Sequence, residues 1–178
     1  MAIADRGAGD RDGCTPEPMQ LAQLTVRSLA YDSPPARLVM AAMLVDVDER
    51  SGPGESVAVD ASVFQPPSGE FLVAMVDGEV AGCGAFARVD EGLAELMRMF
   101  VQPAWRRRGV GRMLLRELEE RAWASGYVAL RLETGRGQPE AIALYRSCGY
   151  RDIPRYPPHC DDELSLCMAK ELSAPPFA

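Results

Sequence analysis

The stretch from Glu70 to Pro103 sets the tightest limits on the fold. It reads "EFLVAMVDGEVAGCGAFARVDEGLAELMRMFVQP", three apolar runs broken at Asp77-Gly78 and at Asp90-Glu91-Gly92. Asp-Gly between apolar runs marks a hairpin, because both residues tolerate the left-handed backbone of a tight turn. A three-stranded antiparallel meander is expected, and it needs a partner for its apolar face. The next segment, "PAWRRRGVGRMLLRELEERA" from Pro103 to Ala122, provides one. Val110, Met113, Leu114, Leu118 and Ala122 fall on one side of a helix, with Arg116, Glu117, Glu119 and Glu120 largely opposite.

The flanking segments extend this pattern. "LAQLTVRSLAY" reads as a strand, and Asp32-Ser33-Pro34 as the start of a helix running from about Pro34 to Glu49. "RSGPGESVAVDASVFQPPSG" mixes turn residues with one apolar piece, so a loop is expected there, with a short helix around Val59 to Phe64. Downstream, "YVALRLET" reads as a strand, "GQPEAIALYRSCG" as a helix closed by Gly149, and "SLCMAKEL" as a final strand. The order is mostly strands, then β-helix-β-helix-β, which predicts one α/β domain with a mixed sheet over residues 20–173. Residues 1–19, rich in Gly, Asp and Pro without apolar periodicity, are expected to be a mobile tail, with a second short tail at 174–178.

Composition narrows the function. The 178 residues are 47% hydrophobic and 25% charged, enough for a real core. A net charge of -7 and a pI near 4.8 argue against a nucleic-acid binder. Five scattered cysteines without a C-x-x-C suggest neither a disulfide framework nor a zinc site, and a reducing cytoplasm fits them. The N-terminus lacks the apolar core of a signal peptide, and the run from Leu38 to Val45 is too short to span a bilayer, so no membrane partner is expected.

Within this acidic chain, three arginines and two glycines gather at the head of the helix after the meander. The first N–H groups of a helix have no intrahelical acceptors, and glycine lets a ligand approach the backbone, so the loop is a candidate anion site. "GVGRML" lacks the third glycine of a dinucleotide fingerprint, and no G-x-x-x-x-G-K-[ST] occurs. Taken alone, the two glycines are equally compatible with a plain strand-to-helix turn.

Two motifs in sequence decide between these. "LMRMFVQP" leading into "RRRGVG" matches the pattern R/Q-x-x-G-x-G/A with Arg106, Gly109 and Gly111. "QPEAIALYRSCGY" matches N-x-x-A-x-x-x-Y-x-x-x-G-F with Ala141, Tyr145, Gly149 and Tyr150, Gln138 standing for the commoner asparagine and Tyr150 for phenylalanine. On these motifs the stretch from Leu93 to Gly149 resembles the GNAT superfamily of acyl-CoA N-acyltransferases. The resemblance implies a mixed, mostly antiparallel sheet of about six or seven strands with a splayed central pair, flanked by about four helices. It also implies acetyl-CoA as cosubstrate, no metal, and direct transfer to an amine in a ternary complex.

The same resemblance distributes roles. Backbone N–H groups from Arg107 through Val110 to Gly111 would cradle the coenzyme's pyrophosphate, with Arg106, Arg107, Arg108 and Arg112 as candidate charged contacts. Met99, Phe100 and Val101 would offer backbone to the acyl-pantetheine arm, an N–H near Met99 polarising the thioester carbonyl, while Gln138 and Ala141 line the arm. Tyr145 matches the family's general acid, although Ala141, Leu144, Tyr145 and Cys148 also form a core-facing stripe. Glu95 is the candidate base, with an outward-facing strand residue as the plain alternative, and Glu133 is the runner-up. His159 is a lone loop histidine that is either a substrate contact or simply solvated.

The acceptor is expected to be a small-molecule amine, since an acidic protein attracts cations and the Leu38–Val45 run could present an apolar face to it. Transfer to a protein amine and a non-catalytic acyl-CoA sensor are the competing readings. Similar proteins often dimerise, so a homodimer belongs to the partners the resemblance implies.

Overall fold

The computed structural model describes residues 23–51 and 59–174. The tail expected at 1–19 lies outside the described residues, as do 52–58 of the expected loop and most of the tail at 174–178. Chain order is β1 (Leu24–Ser28), α1 (Pro34–Ser51), a 3₁₀ turn (Ala61–Phe64), β2 (Gly69–Val76), β3 (Glu79–Asp90), β4 (Leu93–Val101), a second 3₁₀ turn (Pro103–Trp105), α2 (Val110–Ala124), β5 (Ala129–Gly135), α3 (Pro139–Ser147), β6 (Arg151–Asp152) and β7 (Ser165–Glu171). The seven strands form one sheet in the order β1-β2-β3-β4-β5-β7-β6. Every pairing is antiparallel except β4 with β5.

The meander stands where its turn residues predict, with Asp77, Gly78 and Gly92 all at positive φ. Among the described residues three α-helices form, where about four are expected. Among the described residues of the loop before β2, only the 3₁₀ turn Ala61–Phe64 appears, its first turn capped by the Asp60 carboxylate accepting from the Ser62 N–H at 2.9 Å. The two-residue strand β6 is too short for alternation to show in the sequence.

Each sheet face carries its own core. On one face Val110, Leu114, Leu115 and Leu118 of α2 pack with Leu72, Phe86, Leu96, Leu130, Leu132 and Met168. Leu115 takes the buried position there, while Met113, predicted on the apolar side, is only half-buried. On the other face Ala36, Val39 and Met43 of α1 cover Phe71, Val73, Cys83 and Phe100. Leu38 and Val45 point to solvent, so of the Leu38–Val45 run Val39 and Met43 are buried in the core, with Met40 and Ala42 packed against it. Fully burying one leucine stabilises by about 1.5–3 kcal/mol, and these two layers fix the sheet on which the site is built.

The feature that opens the sheet is the parallel pair. β4 and β5 are in register only from Leu93–Ala129 to Leu96–Leu132. Beyond Leu96, β4 stays paired with β3 as far as Val101, and β5 stays paired with β7 as far as Gly135. The two strands therefore part, leaving a wedge in the middle of the sheet.

Candidate active site

A bulge drives the parting. Met97 pairs with Ala85 and Phe100 with Cys83, so Arg98 and Met99 together oppose the single residue Gly84. Arg98 takes φ +57, a left-handed conformation uncommon for a residue with a Cβ. Gly84 opposite it leaves room for the Met99 and Leu118 side chains, whose ends would lie 2.6 and 2.7 Å from a Cβ there and would have to shift. The Cys83 thiol contacts the Arg98 carbonyl at 3.3 Å and ties the bulge to β3.

The wedge opens into a cleft of about 700 Å³. Its lips are Leu96–Val101 of β4 and Glu133–Gly135 of β5. Its ends are the loop before α2 and the face of α3 bearing Gln138, Ala141, Leu144 and Tyr145, with Met43, Asp46, Val47 and Arg50 of α1 on a further wall. The cleft thus gathers Met99, Phe100, Val101, Arg106, Arg107, Gly109, Val110, Gly111, Arg112, Gln138, Ala141 and Tyr145.

In the loop, Arg107 at φ +61 and Gly109 at φ +85 curl the backbone ahead of the helix, and the first helical bond runs from the Met113 N–H to the Gly109 carbonyl at 3.0 Å. Gly109 occupies the N-cap of α2 without a side-chain cap, and a Cβ on it would meet nothing within 4 Å. This is a concave turn of N–H groups at the positive end of a helix, open to a ligand of negative charge.

The arginines divide their work. Arg106 donates to the Asp46 carboxylate at 2.7 Å and to the Val101 carbonyl at 2.9 Å, fastening α1 to the end of β4. Arg112 donates to the Ser147 hydroxyl at 2.9 Å and binds α2 to α3. Arg107 lies in the cleft wall, whereas Arg108 stacks on Trp105 at 5.2 Å and is not part of it. Sequence alone could not separate them, because Asp46 and Ser147, the partners of Arg106 and Arg112, are distant in the chain.

The carboxylates divide as well. Glu95 is paired in register with Arg131, and on the same sheet face its carboxylate accepts from the guanidinium at 2.8 and 2.9 Å. Arg131 in turn lies 3.7 Å from the centre of the Tyr156 ring. Glu95 thus sits below the point where the strands part, outside the cleft wall. Glu133, two residues beyond Arg131, shares that face but lies past the parting and lines the cleft. Its carboxylate accepts from the Ser165 hydroxyl at 2.6 Å. His159 packs edge-on against Tyr156 at 5.9 Å and is not in the wall. Asp46, Arg98, Thr134 and Leu144 line the cleft without having been named from sequence as site residues; nothing in their local pattern marks them.

Tyr145 is buried, and burial first, with the Glu133 carboxylate adding to it, pushes its phenol above the ordinary tyrosine range. It remains a neutral donor at working pH. Burial likewise raises Tyr150 and Tyr156, and pushes the Cys83 thiol up to about 12. These groups give up protons more easily in the unfolded chain, at a pH of roughly 8.5 for the thiol and 10 for the phenols. Each therefore stabilises the fold fully below its unfolded value and ceases to do so as pH rises toward its folded value. Urea midpoints should be flat to about pH 8.5, decline with Cys83, and fall steeply above about pH 10. Tyr150→Phe should flatten the steep part, and a midpoint constant up to pH 11 would contradict this origin.

The chain matches the Acetyltransferase (GNAT) family model over residues 39–150. It belongs to that family. The GNAT chain is 46% identical over 115 residues to the IAA acetyltransferase of Azospirillum brasilense, a match spanning 64% of this chain and 75% of that protein. Among solved structures, one from Klebsiella pneumoniae assigned as an acyl-CoA N-acyltransferase is 30% identical, with a TM-score of 0.71 over 84% of this chain and 98% of its own. An 18% identical N-acetyltransferase from Thermoplasma acidophilum, solved with coenzyme A, shares the fold at a TM-score of 0.64 over 84% of this chain and 99% of its own. The GNAT protein is accordingly an N-acetyltransferase with the mixed, splayed sheet of its family. Among the described residues no helix is long and apolar enough to cross a membrane, and no group of three or more His, Cys, Asp or Glu could hold a metal ion.

Proposed function

We propose that this GNAT enzyme binds acetyl-CoA along the wedge between β4 and β5 and transfers the acetyl group directly to the amine of a small molecule, within a ternary complex. The observation that carries the reading is the continuity of one cleft from the N–H turn before α2, past the bulged backbone of Met99–Val101, to Tyr145 and Glu133. The cradle fits the coenzyme: an open N-cap glycine where pyrophosphate needs close backbone approach, and an unzipped strand edge long enough for an extended arm.

When bound, acetyl-CoA supplies an activated acyl thioester and an anionic anchor. The residues of the chain do the rest. N–H groups from Arg107 to Gly111 hold the anchor, with the Arg107 side chain beside them. A backbone N–H near Met99 stabilises negative charge on the acyl oxygen. Glu133 takes a proton from the acceptor ammonium, whose pKa is about 10 in water, and Tyr145 gives its phenolic proton to the departing sulfur. Glu133 is preferred to Glu95 because it lines the cleft, whereas Glu95 is committed to Arg131.

Acceptor-side contacts come from Met43 and Val47 of α1. A small acceptor agrees with these apolar contacts, and the Azospirillum relative, named an IAA acetyltransferase, supports it. A panel of polyamines, arylethylamines, α-amino acids and short peptides, incubated with acetyl-CoA and assayed for released thiol, tests the proposal. Turnover with a non-peptide amine is expected. Turnover with peptides alone would replace it by protein acetylation, and tight acetyl-CoA binding without any turnover by a sensor role.

Glu133→Gln should lower kcat by roughly 10²-fold and abolish the acidic limb of the pH–rate profile. Glu95→Gln should keep that limb and lose stability instead, since it weakens a part-buried ion pair. An unchanged acidic limb in Glu133→Gln would remove Glu133 from the base role.

A further inference from the structure

Behind Glu133 lies a polar array that binding and chemistry at the cleft do not by themselves explain. Ser165, the first residue of β7, is 2% exposed. Its hydroxyl stands 2.6 Å from the Glu133 carboxylate and 2.7 Å from the Asp162 carboxylate. Asp162 is exposed. Its position is fixed by the loop itself: its other carboxylate oxygen accepts from the Leu164 N–H at 2.9 Å, and its carbonyl accepts from the Ser165 N–H at 3.1 Å.

A serine hydroxyl has one hydrogen to donate. Two ionised carboxylates at these distances cannot both accept it, so one of the two contacts becomes a hydrogen bond only when a further proton enters the array. An array that is one proton short, running from a cleft-lining carboxylate through a buried hydroxyl to a solvated carboxylate, is built to pass a proton along.

We propose that Ser165 and Asp162 form the exit route for the proton that Glu133 takes from the acceptor amine. The idea rests on Glu133 acting as the base. Glu133 receives the proton on its carboxylate and gives it to the Ser165 oxygen. The original hydroxyl hydrogen of Ser165 passes in the same event to Asp162, which releases it to water. Every O–H bond formed is matched by one broken, and Glu133 returns to its ionised state for the next turnover. Bonds from Ser165 and Leu164 hold the Asp162 carboxyl below the usual carboxylate range, so it does not retain the proton. Other groups facing the array are Tyr145 from α3, Tyr156 from the loop before β7 and Cys167 from β7 around Glu133, and His159 and Arg155 around Asp162. Ser165 and Asp162 act through Glu133 and are positioning residues.

The test measures steady-state kcat and KM over many turnovers with acetyl-CoA and the fastest amine of the panel, in dilute and concentrated imidazole buffer. Ser165→Ala should lower the rate about tenfold in dilute buffer with KM for both substrates within about twofold, and imidazole should restore most of the loss by supplying another proton acceptor. Ser165→Thr, which keeps the hydroxyl, should stay within about threefold of wild type. Asp162→Asn, a change at an exposed position, should show the same buffer dependence as Ser165→Ala. A readout independent of turnover is the ¹³C titration of the side-chain carboxyl carbons: in wild type the Glu133 carbon should carry the inflection of Asp162, and in Ser165→Ala each should titrate alone.

Wild-type rates in Ser165→Ala, losses that imidazole does not repair, or independent titration of the two carbons in wild type would each overturn the relay. Glu133→Gln, run alongside, separates the two readings. If it turns over normally, the base assignment falls and the relay with it; if it is inactive while Ser165→Ala is normal, only the relay falls.

Discussion

Gly109→Val should abolish measurable acetyl-CoA binding in a calorimetric titration, a loss of at least about 100-fold, with the fold intact by circular dichroism. Two costs separate here. The first is conformational: Gly109 sits at φ +85, and a β-branched residue there costs about 1–2 kcal/mol, which lowers Tm by roughly 2–8 °C in a chain of this size. The second is specific to the ligand. A Cβ on Gly109 projects into open space in the cleft wall, where the pyrophosphate would lie against the N–H groups. Displacing the phosphates from two charge-assisted hydrogen bonds costs about 3–6 kcal/mol, or 10²- to 10⁴-fold in affinity.

Gly126→Val makes the comparison clean. Gly126 has φ +91, and its Cβ would also meet nothing within 4 Å, but it lies beyond the other end of α2. It should show a similar fall in Tm with unchanged affinity. Equal affinity in Gly109→Val and wild type would contradict the pyrophosphate assignment.

The second large effect concerns Tyr145. Tyr145→Phe should lower kcat by about 10²- to 10³-fold, the usual span for removing a positioned acid, while KM for acetyl-CoA stays within about threefold. The ring is buried and packs 5.7 Å from Tyr150, so phenylalanine keeps the core filled and Tm near wild type. Because burial keeps the phenol protonated well beyond neutrality, any basic limb of the wild-type profile below pH 10 belongs to another group and should persist in whatever activity remains. Wild-type kcat in Tyr145→Phe would reduce the residue to core packing, the other role its helical spacing allows.

Much of the fold could be read from local pattern. Asp77-Gly78 and Gly92 located the meander's turns, apolar spacing located α2 and α3, and the two motifs, one in a loop and one on α3, fall at the cleft ends. What escaped depends on register, which no local pattern carries. Whether Glu95 or Glu133 reaches the cleft is decided by where β4 and β5 stop pairing, a property of two strands separated by a helix. Arg98 is an ordinary strand residue in sequence, and only the two-for-one pairing against Gly84 turns it into the bulge. Arg106 lines the cleft as its motif implies, but its ion pair with Asp46, 60 residues away on α1, leaves no local signal. The Ser165–Asp162 array was invisible for the same reason, since its third member is on β5.

The central claim is that acetyl-CoA lies in the wedge between β4 and β5. Titrating acetyl-CoA into ¹⁵N-labelled protein and following backbone amide shifts tests it most directly. The largest changes should fall on Met99 to Val101 and on Arg107 to Gly111, with little change on β1, β2 or the outer face of α1. Shifts concentrated away from the two lips of the wedge, or no saturable shifts at millimolar acetyl-CoA, would contradict it.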